Sequence, residues 1–192
     1  MNYELKSARF LAAETLRKAL GPGDTAVDAT MGNGHDTELL CHLVGPEGHV
    51  FGFDIQPEAV AATEKRLAEA DLASRATLYC ESHDHLAERV PGPVDAVVFN
   101  LGWLPGGDHR ITTRVESTRA AIEQALYLLR AGGILVVCVY PGHPEGAREQ
   151  AMLDQLFADL SPRDFNVLRQ TFLNAGAGAP ACYVAQRQPD RN

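Results

Sequence analysis

Thr25-Ala26-Val27-Asp28-Ala29-Thr30-Met31-Gly32-Asn33-Gly34-His35-Asp36-Thr37 decides the fold. Thr25 to Thr30 reads as a short buried strand. A glycine-rich turn follows, and the spacing predicts a helix from His35 to Leu43. A strand running through such a turn into a helix brings backbone close to a ligand at the sheet's C-terminal edge. A dinucleotide site would carry a third glycine where Thr37 stands. Asp28 and Asp36 flank the turn. They would repel a pyrophosphate but can accept hydrogen bonds from an ammonium group. The chemistry points to a nucleoside bearing a cationic amino acid rather than to NAD.

The same alternation continues outward. HVFGFDI (49–55) is a second strand, with a helix from Pro57 to Leu67 that has proline near its first turn. ATLYCES (76–82) and VDAVVFNL (94–101) are the third and fourth strands. A helix over 113–129 closes at Ala131-Gly132-Gly133, and GILVVCVY (133–140) is the fifth strand. A helix over 146–160 precedes FNVLRQTFLN (165–174) and ACYVAQRQ (181–188). Upstream, 7–20 has helical spacing with Ser7 as N-cap. That helix either lids the sheet or joins a homodimer interface. Apolar strands alternating with helices give a mostly parallel sheet covered on both faces. The last two strands are separated by about six residues, too few for a parallel crossover, so they form an antiparallel hairpin. The expected class is α/β with seven strands, in one domain over 1–192 whose tail frays from about 188.

Composition sets outer limits. The chain has 192 residues, 45% hydrophobic and 22% charged, which suits one soluble globular domain and no collagen-like or disordered chain. No apolar run approaches the roughly 18 residues of a membrane span. The first 20 residues carry acidic side chains inside their apolar stretch, unlike a secretory signal, so a cytoplasmic location is expected. Net charge is -8, from 17 basic and 25 acidic residues. A general polyanion binder is thereby disfavoured, though a local basic patch remains compatible with nucleic acid. Cys41, Cys80, Cys138 and Cys182 form no CxxC pair and read as buried free thiols in a reducing compartment.

Candidate site residues follow from the strand ends. Asp54 stands 20 residues after Gly34, where a carboxylate accepts from ribose hydroxyls. Ile55 can pack on a purine, with Gln56 beside it. Ser82 and His83 end the third strand, where an adenine amino group would sit. His83-Asp84-His85 lacks further ligands, so no metal is expected.

The fourth strand runs into Asn100-Leu101-Gly102-Trp103-Leu104-Pro105-Gly106-Gly107-Asp108-His109. It would lie beside the first strand, so its end faces the reacting group. The Asn100 side-chain oxygen can accept from an amine, and Trp103 can stack on a base. Asp108 or His109 can take a proton. Tyr140 and His143 flank the same pocket from the fifth strand. Arg110 and Arg114, on one helical face, can bind phosphates, with Arg119 less well aligned. All four cysteines fall mid-strand or mid-helix, so none reads as a nucleophile.

The combination DATMGNGHDT, FDIQ, FNLGWLPGGDH and YPGH resembles class I S-adenosylmethionine-dependent methyltransferases over nearly the whole chain. More specifically, it resembles the bacterial family labelled rRNA methylases, members of which are associated with methylating the amine of 5-aminomethyl-2-thiouridine at the tRNA wobble position. The resemblance implies a Rossmann-like fold, S-adenosylmethionine as cofactor and the tRNA anticodon region as partner. It also implies a cofactor site of Asp28, Met31, Gly32, Asn33, Gly34, Asp36, Asp54, Ile55, Gln56, Ser82, His83 and Asn100. The acceptor side would comprise Trp103, Leu104, Gly106, Gly107, Arg110, Arg114, Tyr140 and His143. The Asn100 loop resembles the Asn/Asp-Pro-Pro-Tyr/Phe loop of amine-directed methyltransferases, with Leu-Gly for Pro-Pro. An rRNA or small-molecule N-methyltransferase of the same fold is the alternative within enzymes. A non-catalytic nucleoside-binding module is the alternative outside them, and the intact Asn100 loop argues against it.

Overall fold

The computed structural model describes residues 7–176 and 178–189. Expectations for 1–6 and for the tail beyond 189 lie outside the described residues. The chain begins with α1 (Ala8–Ala19), capped by the Ser7 hydroxyl, which accepts from the Phe10 amide at 3.1 Å. Then come β1 (Thr25–Asp28), α2 (His35–Val44), β2 (His49–Phe53), α3 (Pro57–Glu69) and β3 (Ala76–Tyr79). A short α4 (Leu86–Arg89) precedes β4 (Val94–Asn100) and α5 (Val115–Leu128). Last are β5 (Leu129–Val139), α6 (Pro144–Ala158), β6 (Phe165–Thr171) and β7 (Ala181–Arg187).

The seven strands lie in the order β3-β2-β1-β4-β5-β7-β6. All pairs from β3 to β5 are parallel, and β7 pairs antiparallel with both β5 and β6. The α/β class and the terminal hairpin are as the sequence predicts. Period-two burial explains the two faces. Along β4, Ala96 and Val98 pack with α1, α2 and α3, while Val97 and Phe99 pack with α4, α5 and α6. The sheet order reverses between β1 and β4, which opens a crevice at their C-terminal ends.

Several strands end two or three residues earlier than expected, β3 at Tyr79 and β6 at Thr171 among them, and α6 starts at Pro144. Two further boundaries differ for a reason the structure shows. β5 starts at Leu129, not at Gly133: Leu129 is buried and pairs with Val94. The extra residues form an irregularity before Ala96↔Ile134, with Gly132 at φ +80°, and Arg130 clamps it by an ion pair to Asp95. The helix expected from 113 starts at Val115. The Val115 amide donates to the Glu145 carboxylate at 3.0 Å, so a side chain 30 residues away caps the helix instead of Thr112 or Thr113. Arg110 therefore sits in a loop and Arg114 at the N-cap, and they share no helical face. Cys80 is exposed beyond the end of β3, while Cys41, Cys138 and Cys182 are buried.

Candidate active site

A cavity of about 510 Å³ opens at the C-terminal ends of β1 to β5. That is within the range of small-ligand sites. The turn after β1 forms one wall. Gly34 has φ +77°, and a Cβ there would meet the Thr63 backbone at 2.9 Å, so only glycine fits this approach to α3. Met31, Gly32, Asn33 and Asp36 line the cavity above it.

Asp28 lies beneath the turn and not in the wall. It is wholly buried, accepting from the Thr37 hydroxyl at 2.7 Å and the Thr30 amide at 3.2 Å. Contact with a bound ammonium is therefore withdrawn for Asp28. Burial, with Asp36 nearby, raises its pKa to about 7. Its folded-state value exceeds the unfolded one, so the stability of the protonated form is complete below about pH 4 and lost as pH rises through about 7. Asp28→Asn removes the charge; its Oδ1 can still accept from the Thr30 amide, while its Nδ2 donates to the Thr37 hydroxyl, reversing that bond. It is expected to raise stability by about 2 kcal/mol at pH 8 and hardly at all at pH 4, measured as Tm against pH. An equal Tm at pH 8 would contradict the assignment.

Asp54 ties two loops together. Its carboxylate accepts from the Gly32 amide and the Gln56 amide, both at 3.0 Å, and burial raises its pKa. Gln56 and the exposed Ile55 line the wall beside it. Ser82 and His83 follow. His83 Nδ1 lies 3.2 Å from the Ala29 carbonyl, which can only accept, so Nδ1 carries the proton. Nε2 is then a buried lone pair without a partner, and burial lowers the ring's pKa, favouring the neutral form. His85 turns away toward Glu88, so the His83 and His85 rings do not converge.

Asn100 stands at the centre. Its backbone amide donates to Thr30 Oγ1 at 2.7 Å, and its Nδ2 donates to Asp36 Oδ2 at 2.7 Å. A carboxylate can only accept, which fixes the amide orientation. Asn100 Oδ1 is therefore buried with no partner. Arg9 of α1 holds the other Asp36 oxygen at 3.1 Å.

The loop after β4 is pinned by Gly102 and Thr113. The Gly102 amide donates to Thr113 Oγ1 at 2.9 Å, and the Thr113 amide donates to the Gly102 carbonyl at 3.0 Å. Trp103 and Leu104 line the cavity, and Asn33 Nδ2 reaches the Pro105 carbonyl at 3.4 Å. Tyr140, His143 and Arg114 complete this end. His143 Nδ1 accepts from the Gly146 amide at 3.2 Å, which leaves Nε2–H in the neutral ring as a donor. The His143 ring also lies 4.5 Å from the Trp103 ring.

Five expected residues fall outside the wall around the loop tip. Gly106 and Gly107 shape the tip. Asp108 is exposed and paired with Arg110 at 2.7 Å, which holds its carboxyl below the usual range, so it is withdrawn as a proton acceptor. Arg110 is spent on that pair. His109 stacks on Trp103 at 4.3 Å and backs the indole rather than facing the cavity. On α5, Arg119 pairs with Glu123 at 3.0 Å. The sequence reading missed Arg9, Ile111, Thr112, Thr113 and Ser117, which also line the cavity. The pattern flags Thr112 and Thr113 only as caps, and nothing local marks Arg9.

Residues 50–186 match the family described as "Putative rRNA methylase". The chain belongs to that family. It is a methyltransferase with the class I fold. An Arabidopsis thaliana protein named "tRNA (mnm(5)s(2)U34)-methyltransferase, chloroplastic" is 31% identical over 95% of this chain and 70% of its own length. A "putative rRNA-methylase" from Clostridium thermocellum is 38% identical, with TM-score 0.93 over 96% of this chain and 100% of the other. A "putative methyltransferase" from Streptococcus mutans, solved in complex with SAH, is 30% identical, with TM-score 0.86 over 95% of this chain and 99% of its own. Among the described residues of this methyltransferase, no group of three or more His, Cys, Asp or Glu side chains could hold a metal, and no helix is long and apolar enough to cross a membrane.

Proposed function

We propose that this methyltransferase transfers a methyl group from S-adenosylmethionine to the exocyclic amine of 5-aminomethyl-2-thiouridine at the wobble position of tRNA, in the cytoplasm. The observation that carries the amine is Asn100 Oδ1, a buried acceptor with no partner whose amide nitrogen is locked on Asp36. A buried carbonyl left unpaired costs free energy, and an N–H of the acceptor would satisfy it. The choice among amines is supported by the name of the Arabidopsis relative.

The cavity suits the cofactor. Asp54, on the cavity wall, can accept from ribose hydroxyls, and the exposed Ile55 beside it can pack on a purine. His83 Nε2 is the acceptor an adenine amino group needs. S-adenosylmethionine supplies a methyl group on a sulfonium, already activated for displacement. The protein's task is therefore alignment and holding the amine unprotonated. Asn100 Oδ1 accepts one amine N–H, turning the nitrogen lone pair toward the methyl carbon. Trp103 and Tyr140 give faces for the uracil ring, and His143 Nε2–H can donate to a base carbonyl. Arg114, exposed and lining the cavity, can bind a phosphate.

The test supplies methyl-labelled S-adenosylmethionine to the purified protein with tRNA from cells lacking the enzyme, ribosomal RNA, or small aliphatic amines. Label in the tRNA is expected, falling as salt rises. Label confined to ribosomal RNA or to the small amines overturns the acceptor.

A further inference from the structure

The only cation hydrogen-bonded to Asp36 among the described residues comes from α1, the helix the fold needs merely as a lid. Ala8, Ala12 and Leu16 seat α1 on the sheet. Arg9, one residue past the first of these, turns back into the cavity wall. Its Nε and Nη2 both donate to Asp36 Oδ1, at 3.3 and 3.1 Å, while Asp36 Oδ2 accepts from Asn100 Nδ2 at 2.7 Å. Arg9, Asp36 and Asn100 thus form one line that ends in the unpartnered Asn100 Oδ1.

We infer that Arg9 is a positioning residue for methyl transfer: it occupies the Asp36 carboxylate so that Asp36 orients Asn100 rather than pairing with the acceptor's ammonium form. This rests on the amine reading above. An Asp36 freed from Arg9 would be an uncompensated anion beside the acceptor. It would favour the protonated amine, which has no lone pair and cannot react. With Arg9 in place, the neutral amine donates one N–H to Asn100 Oδ1. Its lone pair forms the N–C bond as the C–S bond breaks, and the electron pair of that bond stays on sulfur as a neutral thioether. The positive charge moves to the methylated nitrogen, which loses its proton to water.

The charged and titratable groups around Asp36 come from five elements. Arg9 lies on α1, Asp28 at the end of β1, and His35 and Glu38 on α2 itself. Tyr140 follows β5 and Cys138 lies on it. Arg66 of α3 is engaged by Glu38 at 2.9 Å and by the Asn33 carbonyl at 2.8 Å. Arg9 is thus the cation aimed at Asp36.

The experiment measures kcat and KM from pH 6.5 to 10 for the wild type, Arg9→Gln, Arg9→Lys and Arg17→Gln. The acceptor is tRNA carrying 5-aminomethyl-2-thiouridine, from cells lacking the enzyme. Arg17 is an exposed residue of the same helix, paired with Glu14 at 3.4 Å, and serves as control. Arg9→Gln is expected to lower kcat roughly tenfold at pH 7. Its acidic limb should move up by about one pH unit, with KM for S-adenosylmethionine little changed. Arg9→Lys should recover most of the rate. A wild-type profile for Arg9→Gln, or a loss confined to cofactor KM, overturns the inference.

If the wild type leaves this tRNA unmethylated, the amine reading fails by itself. The orienting role is then decided by NMR of the protein bound to S-adenosylhomocysteine. The Asn100 side-chain amide signal, identified by its loss in Asn100→Ser, should move in Arg9→Gln and stay in Arg17→Gln. An unmoved signal in Arg9→Gln refutes the role.

Discussion

Asn100→Ala is expected to lower kcat by roughly a hundredfold or more, with affinity for S-adenosylmethionine close to that of the wild type. The magnitude is that of deleting one preorganised hydrogen-bonding group from a reaction centre. The substitution removes a side-chain oxygen that is buried, unpartnered and oriented by a carboxylate. It leaves Asp54 and His83, the groups assigned to the cofactor, untouched. Its backbone link to Thr30 is also retained, so the end of β4 stays in place. Single-turnover methyl transfer and calorimetric cofactor titration separate the two effects. Undiminished turnover would move the acceptor elsewhere in the cavity.

Asp54→Ala has the opposite signature. Two backbone amides, Gly32 and Gln56, lose their common acceptor, and with the cofactor seated as proposed the ribose loses a charged partner. A hydrogen bond to a charged group contributes about 1.5 to 3 kcal/mol, so cofactor affinity is expected to fall roughly ten- to a hundredfold. Turnover at saturating cofactor should change far less, because Asp54 lies away from the acceptor end. Calorimetry and kcat under saturation read the two numbers. Wild-type affinity would show that Asp54 only braces the loops. Burial raises the pKa of Asp54, so affinity should also fade on acidification from a higher pH than for an ordinary aspartate.

The parts of the fold legible in the sequence are those written in local pattern. Strand alternation, the glycine turn at Gly32 to Gly34, the Ser7 cap and the hairpin of β6 and β7 depend on neighbours within a few residues. Asn100 was legible because topology places the end of β4 beside that turn. What the sequence hid depends on distant partners. Glu145 sets the start of α5, and this breaks the helical face that Arg110 and Arg114 would have shared. Asp108 and Arg110 are the exception: only two residues apart, they pair with each other at the surface, which their shared place in a loop rather than on a helix allows. Leu129 joins the sheet early because Val94 receives it. Arg9 meets Asp36 across 27 residues, a pairing that no motif in α1 signals.

Two lines of naming meet in this chain: its family is described by ribosomal RNA, and the Arabidopsis relative by a modified wobble uridine. Asn100 bears on the acceptor atom rather than on the RNA that carries it: its oxygen suits an amine hydrogen and offers nothing to a ring carbon. The most direct measurement is nucleoside mass spectrometry of tRNA from enzyme-deficient cells after reaction with methyl-labelled S-adenosylmethionine. The account predicts that 5-aminomethyl-2-thiouridine disappears and its N-methylated form gains the label on the side-chain nitrogen. Label on a ring carbon, a ribose or a different nucleoside, with 5-aminomethyl-2-thiouridine left intact, would contradict it.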